Sequence, residues 1–211
     1  MIKLLIADHH PIVRKGLEHL FSASSDIKIV GSVDNGVSLL DFVKKNKVDI
    51  ILTEADLPKL NGLTVLRHLK SDFPDVKTII FSGQPEEVYA VSAIKAGALG
   101  YVSKTVNIIT INEAILKVHE GGIYLSNELT QALAFGKSLK KKGSFYKKLS
   151  TREIEVLKLL TIGRKNKEVA KELDINEKTV STYKARLMRK LNVTNLVDLV
   201  NQAKLHAEEE S

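Results

Sequence analysis

The first 121 residues alternate two kinds of hydrophobic pattern, and this alternation is the strongest constraint on the fold. Short runs rich in β-branched residues, at 3–7, 27–33, 48–53, 76–81 and 100–103, predict strands. Apolar residues spaced three or four apart, at 11–21, 37–45, 62–69, 86–96 and 108–118, predict amphipathic helices. Some strand runs are apolar on both faces, as a parallel sheet covered by helices on each side requires. We therefore predict an α/β domain with a doubly wound, five-stranded parallel sheet.

The rest of the sequence lacks strand patterns. Helical patterns occupy 127–135, 151–161, 167–173, 177–191 and 195–206. The segment 136–148 carries six lysines and two glycines, a composition typical of a linker. We predict three parts: the α/β domain at 1–121, a linker helix and basic linker at 122–148, and a small all-α domain at 149–211. The linker lysines either stay solvated or contact DNA phosphates nonspecifically.

Charge and composition narrow the class of partner. The net charge is +7 in 211 residues, and there is no cysteine, which excludes disulfides and cysteine-ligated zinc. Residues 1–121 hold 14 Lys and Arg against 14 Asp and Glu, so the whole excess lies in residues 122–211. Such asymmetry predicts that the second part binds a polyanion, most often nucleic acid. No apolar run approaches the roughly 20 residues that span a bilayer, so we expect a cytoplasmic protein without a membrane partner.

Polar side chains follow several predicted strands at their carboxyl ends, where an open α/β sheet usually binds its ligand. They are Asp8, His9, Glu54, Ser82 and Lys104. Carboxylates are hard ligands for Mg²⁺, while a hydroxyl and an ammonium bind phosphoryl oxygens. The set predicts a site for Mg²⁺ and a phosphoryl group.

The all-α part contains the signals of a helix-turn-helix. Ser150 and Glu153 form a predicted capping box, Asn166 is a predicted cap for a short helix, and Asn176 caps a longer one. A stripe of apolar residues marks the buried side of the longer helix. Its other side mixes short polar and long cationic residues, which suits base contacts and phosphate contacts. The residues that we expect to contact DNA are Asn166, Lys167, Lys178, Thr179, Ser181, Thr182, Lys184, Ala185, Arg186 and Arg189.

The α/β part resembles the receiver domain of two-component response regulators. The motifs that carry the resemblance are ADHHP at 7–11, DIILTE at 49–54 followed by Pro58 and Gly62, FSG at 81–83, and GALGYVSK at 97–104. The resemblance implies that Glu54 stands at the phosphoacceptor position, and that Ser82 and Lys104 engage the phosphoryl group. It also implies that Tyr101 reports the switch, and that Mg²⁺ is held at Asp8, Glu54 and the backbone carbonyl of Asp56.

Two residues depart from the receiver pattern. Glu54 replaces the aspartate that is phosphorylated, and His9 replaces the second acid of the metal site. The extra methylene of Glu54 disturbs in-line phosphoryl transfer, and an imidazole removes a hard oxygen ligand. We therefore expect poor phosphorylation and weak or absent Mg²⁺ binding. Glutamate here fits either a naturally degenerate receiver or a substitution that imitates the phosphorylated state.

The C-terminal part resembles the LuxR-type helix-turn-helix, through LSTREIEVL at 149–157, GRKNKEVA at 163–170, KTV at 178–180 and RKL at 189–191. The whole chain is similar to NarL/FixJ-family response regulators. The resemblance implies a homodimer on a two-fold symmetric DNA site, paired through a last helix that carries Leu196, Leu199, Val200 and Ala203, and a sensor histidine kinase as a further partner.

The sequence therefore predicts a DNA-binding transcription regulator, not an enzyme, in which phosphoryl control is altered or lost. One alternative is a conventional phosphorylation-dependent regulator that carries a phosphomimetic residue at position 54. The other is a protein-interaction module whose basic domain anchors it to DNA nonspecifically.

Overall fold

The computed structural model describes residues 1–134 and 149–209. The chain divides into two compact units, Met1–Leu139 and Lys140–Ser211. The predicted basic linker at 136–148 lies outside the described residues, as does Phe135 at the end of the predicted linker helix.

The first unit alternates strands and helices as the sequence pattern predicts. Its strands are β1 (Ile2–Ala7), β2 (Ile27–Val33), β3 (Ile50–Thr53), β4 (Lys77–Ser82) and β5 (Gly100–Ser103). Its helices are α1 (Pro11–Phe21), α2 (Gly36–Lys45), α3 (Gly62–Asp72), α4 (Glu86–Ala96), α5 (Ile108–His119) and α6 (Asn127–Ala134). The strands pair in parallel in the order β2-β1-β3-β4-β5. The predicted doubly wound sheet is confirmed.

Alternate residues of the central strand β1 point to opposite faces of the sheet, and each face has its own core. Leu4 and Ile6 pack with residues of α1 and α5, whereas Leu5 and Ala7 pack with residues of α2 and α3. Because both faces are covered, the polar residues at the strand ends are the groups left to form a site.

The first unit extends beyond residue 121, the predicted end of the α/β domain. Tyr124 bonds the edge strand: its N–H donates to Leu99 at 2.9 Å, and its carbonyl accepts from Tyr101 at 3.0 Å. Farther along, Leu129 of α6 is buried, and the Ser126 N–H donates to the Glu86 carboxylate at 3.1 Å. The first part of the predicted linker therefore packs on the sheet domain, where these contacts satisfy an otherwise open strand edge.

The second unit consists of four helices in its described residues: α7 (Thr151–Thr161), α8 (Asn166–Leu173), α9 (Glu177–Leu191) and α10 (Leu196–Glu209). Ser150 and Glu153 form the predicted capping box, and Asn176 accepts from the Thr179 N–H at 2.7 Å. The prediction that Asn166 caps α8 is wrong. Lys165 is the N-cap, because the Glu168 carboxylate accepts its N–H at 2.8 Å and leaves Asn166 as the first helical residue.

The short turn between α8 and α9 sets the helix-turn-helix. Asp174 ends α8 in the left-handed conformation, with φ of 51°, and buried Val169, Leu173 and Val180 hold the two helices together. In the described part of the chain, no helix is both long and apolar enough to cross a bilayer.

Candidate functional site

Four polar side chains meet at the carboxyl edge of the sheet, as the strand topology predicts. Asp8 follows β1, Glu54 follows β3, Ser82 ends β4 and Lys104 follows β5. Asp8, Glu54 and Ser82 are almost fully buried, with at most 5% of their surface exposed. Buried charges of this kind require partners, and the partners lie within the group itself.

Lys104 joins the two buried carboxylates. Its Nζ lies 2.6 Å from Oδ2 of Asp8 and 2.6 Å from Oε2 of Glu54. Burial alone would lower the pKa of Lys104, but the hydrogen bonds to Asp8 and Glu54 outweigh it, so the pKa is raised. Lys104 is therefore a stable cation between two acids.

The other carboxylate oxygen of Glu54 is saturated by donors. Oε1 accepts from the Ser82 hydroxyl and from the Ala55 N–H, the latter at 2.6 Å. Behind it, Gly62 passes so close that an added Cβ would lie 2.4 Å from the Glu54 carbonyl oxygen. The Gly62 N–H also donates to the Ala55 carbonyl at 2.9 Å, so the start of α3 lies against the backbone that follows Glu54.

Tyr101 is buried on β5, and its hydroxyl donates to the Gln84 carbonyl at 2.9 Å. Gln84 also donates through its side chain to Asp56 at 2.8 Å, and through its backbone N–H to the Ser82 hydroxyl at 3.1 Å. Burial raises the pKa of the Tyr101 hydroxyl far above its ordinary value of 10.0, so Tyr101 remains a neutral donor. Sequence analysis missed Gln84, although its place two residues after Ser82 was a usable signal.

Two histidines follow Asp8, and His10 bonds the carboxylate oxygen that Lys104 does not take. His10 approaches Asp8 Oδ1 with its backbone N–H at 2.8 Å and its Nδ1 at 2.9 Å. The rings of His9 and His10 are 3.7 Å apart between centroids. Asp8 thus divides its two oxygens between His10 and Lys104.

The residues present at this edge do not fit Mg²⁺ well. Receiver domains generally use Mg²⁺ for phosphorylation, and this ion prefers several oxygen ligands. Here Lys104 occupies one oxygen of Asp8 and one of Glu54, and His9 offers nitrogen where an acid is expected.

The predicted DNA contacts lie around α9 and the start of α8. Ser181, Thr182, Ala185, Arg186 and Arg189 are exposed along one side of α9. Lys178 and Lys167 are exposed too, whereas Asn166, Thr179 and Lys184 are partly buried. The structure thus presents short polar and cationic side chains together on a convex helix face, the arrangement that a DNA groove accommodates.

Some of these polar side chains hold the helices in position. The Lys184 Nζ lies 3.4 Å from Oδ1 of Asn166, and the Asn166 amide donates to Ser181 at 3.2 Å. Asn166 therefore links the start of α8 to α9. The prediction that Asn166 caps α8 did not include this role.

Two members of the predicted dimerisation stripe are buried inside their own unit. Leu199 and Ala203 are at most 4% exposed, Val200 is partly buried, and Leu196 is 38% exposed. Val197 and Leu205 expose more apolar surface on the same helix. Leu199 and Ala203 therefore pack the domain core.

An ion pair between partly exposed Lys190 and buried Glu153 joins α9 to α7. Lys190 Nζ lies 2.7 Å from Oε2 of Glu153, the carboxylate that also accepts the Ser150 N–H at 2.7 Å. Burial alone would raise the pKa of Glu153, but the bonds from Lys190 and Ser150 lower it below its ordinary value. Sequence analysis identified the cap but missed Lys190, because the pair joins residues far apart in the chain.

Two family models match the chain. Residues 4–116 match the response regulator receiver domain, and residues 147–203 match the bacterial regulatory proteins of the luxR family. The two matches correspond to the two units of the structure.

Relatives and solved structures agree with these matches. The virulence-factor transcription regulator BvgA of Bordetella pertussis is 33% identical over 96% of each chain. The response regulator UvrY of Escherichia coli is 30% identical over 98% of this chain and 95% of its own. RcsB from Salmonella enterica serovar Typhimurium, bound to the promoter rprA, matches with a TM-score of 0.73 and 26% identity over 95% of this chain and 96% of its own.

Proposed function

Because this chain belongs to the NarL/FixJ-family response regulators, with a receiver domain and a LuxR-type DNA-binding domain, we propose that it regulates transcription without phosphoryl transfer to its receiver. Of its relatives, BvgA is named as a transcription regulator and UvrY as a response regulator, and neither is named as an enzyme. The open question is how the receiver controls the DNA-binding domain.

The contacts of Glu54 carry the proposal. In a phosphorylated receiver, the Ser and Lys at these positions engage phosphoryl oxygens. Here the two carboxylate oxygens of Glu54 take the Ser82 hydroxyl and the Lys104 ammonium. Glu54 therefore stands in for a phosphoryl group in its bonding, and Tyr101 is turned into the protein beside it.

The same contacts oppose phosphorylation of Glu54. Phosphoryl transfer needs a carboxylate oxygen that is free to attack in line with the leaving group. Oε1 already accepts from the Ser82 hydroxyl and from the N–H groups of Ala55 and Asp56, and Oε2 holds Lys104. The mismatch of the site with Mg²⁺ removes a second requirement of the reaction, so control by a sensor histidine kinase is weakened or lost.

The single charge of Glu54 limits how far this residue alone shifts the receiver toward its active state. A carboxylate brings one negative charge, whereas a phosphoryl group brings about −1.5 to −2 at neutral pH. Moving a two-state equilibrium from 1:99 to 99:1 requires about 5.5 kcal/mol of differential stabilisation. We infer that the partly buried Gln84 contacts, which join Ser82, Asp56 and Tyr101, supply the rest of the bias.

DNA binding by the second unit follows the family, and the mode is part of the proposal. RcsB structures include promoter complexes, and one holds two RcsB dimers on DNA. We propose a homodimer on a two-fold symmetric site, with Ser181, Thr182 and Ala185 near base edges. Lys167, Lys184 and Arg189 contact phosphates. Leu196, with Val197 beside it, offers apolar surface for pairing.

The proposal is tested by measuring DNA affinity without a phosphodonor. A site is first selected from random DNA with the full-length protein, and its affinity is then compared for wild type and Glu54→Gln. This variant keeps the shape of Glu54 and removes its charge. Asp75→Asn, on an exposed loop of the same domain, is the matched control. We expect a two-fold motif, weaker binding by Glu54→Gln, and unchanged binding by the control.

Other outcomes assign other functions. Selection that yields no reproducible motif supports the interaction module with nonspecific anchoring. Equal affinity of wild type and Glu54→Gln overturns the role of Glu54. Binding that appears only after a phosphodonor is added supports the conventional phosphorylation-dependent regulator.

A further inference from the structure

Three potential metal ligands lie together beside the receiver pocket. They are Asp8, His9 and His10, and one ligand atom from each lies within 4.8 Å of the others. Consecutive residues supply all three, so the geometry is set locally by the turn from β1 into α1. Asp8 is shared with the receiver pocket, where Lys104 bonds its Oδ2, whereas its Oδ1 is the oxygen that His10 approaches.

The distances suit coordination as well as hydrogen bonding. Zinc binds histidine nitrogen and carboxylate oxygen at about 2.0–2.2 Å, which places neighbouring ligand atoms roughly 3–3.6 Å apart. Asp8 Oδ1 and His10 Nδ1 are 2.9 Å apart, close to that range. A small rotation of the exposed His10 ring would let Asp8 Oδ1 and His10 Nδ1 bind the same ion.

His9 contributes an unexplained buried atom. Its Nδ1 is shielded from solvent and has no hydrogen-bond partner among residues 1–134 and 149–209. A buried nitrogen without a partner is unfavourable by about 1–3 kcal/mol. Coordination of a cation would satisfy this atom without moving Lys104, because Lys104 uses the opposite oxygen of Asp8.

Two further hydrogen bonds restrain Asp8. The His10 N–H donates to Asp8 Oδ1 at 2.8 Å, and the Arg14 guanidinium donates to the Asp8 carbonyl at 2.6 Å, so the carboxylate is held in place. Orienting bonds of this type strengthen metal sites. Arg14 and Lys104 also make the surroundings cationic, which disfavours an ion held by charge alone. Imidazole is nevertheless a ligand that suits transition ions and not Mg²⁺.

We propose that Asp8, His9 and His10 bind a borderline divalent transition ion, of the class of Zn²⁺, Co²⁺ or Ni²⁺, at the edge where related receivers take Mg²⁺. Imidazole selects these ions, whereas Mg²⁺ prefers oxygen ligands. The replacement of an acid by His9 thus changes which metal the receiver senses. This inference stands apart from the proposed DNA-binding function.

The test uses full-length protein without a polyhistidine tag. Native mass spectrometry counts bound ions, competition with a chromophoric chelator measures Zn²⁺ affinity, and visible absorption reports nitrogen coordination of Co²⁺. The variants are His9→Ala, His10→Gln and His9→Asp. His19→Ala, on an exposed face of α1, is the matched control.

We expect one Zn²⁺ per chain and a loss of affinity of at least about tenfold in His9→Ala and in His10→Gln. The control keeps its affinity, and His9→Asp loses Zn²⁺ affinity while gaining Mg²⁺ affinity. His10 is exposed, so His10→Gln tests the site even where His9→Ala disturbs folding. Zn²⁺ binding that survives both histidine variants, or wild-type protein that prefers Mg²⁺, overturns the proposal.

Discussion

The Nζ atom of Lys104 lies 2.6 Å from Oε2 of Glu54 in a pocket where Glu54 is 5% exposed. The same ammonium is 2.6 Å from Asp8. One cation therefore compensates two buried carboxylates, and the group as a whole stays negative. Lys104 therefore has a structural role in this receiver, because it compensates the buried acids at the strand ends.

Removal of Lys104 should destabilise the receiver. Lys104→Ala leaves Asp8 and Glu54 buried without their cation, and loss of one partner of a buried pair costs about 3–5 kcal/mol. Urea unfolding, followed by far-UV circular dichroism, measures the free energy of unfolding. Lys95→Ala, exposed on α4, should change it by less than about 0.5 kcal/mol. Equal effects of the two variants would show that Lys104 carries no special stabilisation.

The Glu54→Asp variant should recover phosphorylation in part. The shorter side chain withdraws the carboxylate from Ser82 and Lys104 and returns an oxygen to the acceptor position. Intact mass is recorded after incubation with Mg²⁺ and a small phosphodonor. We expect one phosphoryl increment in the variant and none in the wild-type protein.

His9 should slow phosphorylation of the Glu54→Asp variant, because it replaces the second acid of the metal site. The double variant His9→Asp with Glu54→Asp restores the second acid, so it should gain the increment faster than the single variant. A wild-type protein that gains the increment contradicts our interpretation of Glu54. If neither variant is phosphorylated, a feature of the pocket other than Glu54 and His9 blocks the reaction.

Much of the receiver site was predictable because topology brings strand ends together. The positions of Asp8, Glu54, Ser82 and Lys104 followed from five strand patterns and the rule for parallel sheets. The sequence did not indicate which oxygen each partner takes. Which oxygen binds which partner depends on how far the Glu54 side chain extends. Gln84 lies in a loop, and hydrophobic periodicity does not predict the conformation of a loop.

The helix-turn-helix was predictable where caps are local, and less so where contacts are long-range. Ser150 and Asn176 bond residues three positions away, so the sequence displays both partners. The N-cap of α8 is Lys165, because the Glu168 carboxylate accepts the Lys165 N–H. The strong preference of Asn for cap positions pointed to Asn166 instead. Burial of Leu199 depends on packing against α7, which a helical stripe alone does not specify.

Arg189 should contribute to the salt dependence of DNA binding. It is exposed on α9, in line with the short polar residues of the same face. Arg189→Ala should weaken binding to all sequences alike and reduce the log-log salt slope by about one. Fluorescence anisotropy at several salt concentrations measures the slope. Lys95→Ala removes the same charge from the receiver and should leave the slope unchanged; an unchanged slope in Arg189→Ala removes that residue from the interface.

Glu153 should make the DNA-binding domain sensitive to acid. The pKa of Glu153 is lowered in the folded state, where bonds from Lys190 and Ser150 outweigh the effect of burial. A carboxyl with a lowered folded pKa stabilises the fold above its unfolded pKa, near 4.5, and loses that contribution as the pH falls through its folded pKa.

Glu153→Gln keeps a capping residue but removes the charge, so it should be about 1 kcal/mol less stable than wild type at pH 7. The difference should shrink as the pH falls from 4.5 through the lower folded pKa of Glu153, because its carboxyl then becomes neutral, as the Gln side chain is. Urea unfolding of both full-length proteins between pH 3 and 7 measures it, with exposed Glu177→Gln as the control. A difference that stays constant across this range would mean that shape, not charge, gives Glu153 its role in holding α9 to α7.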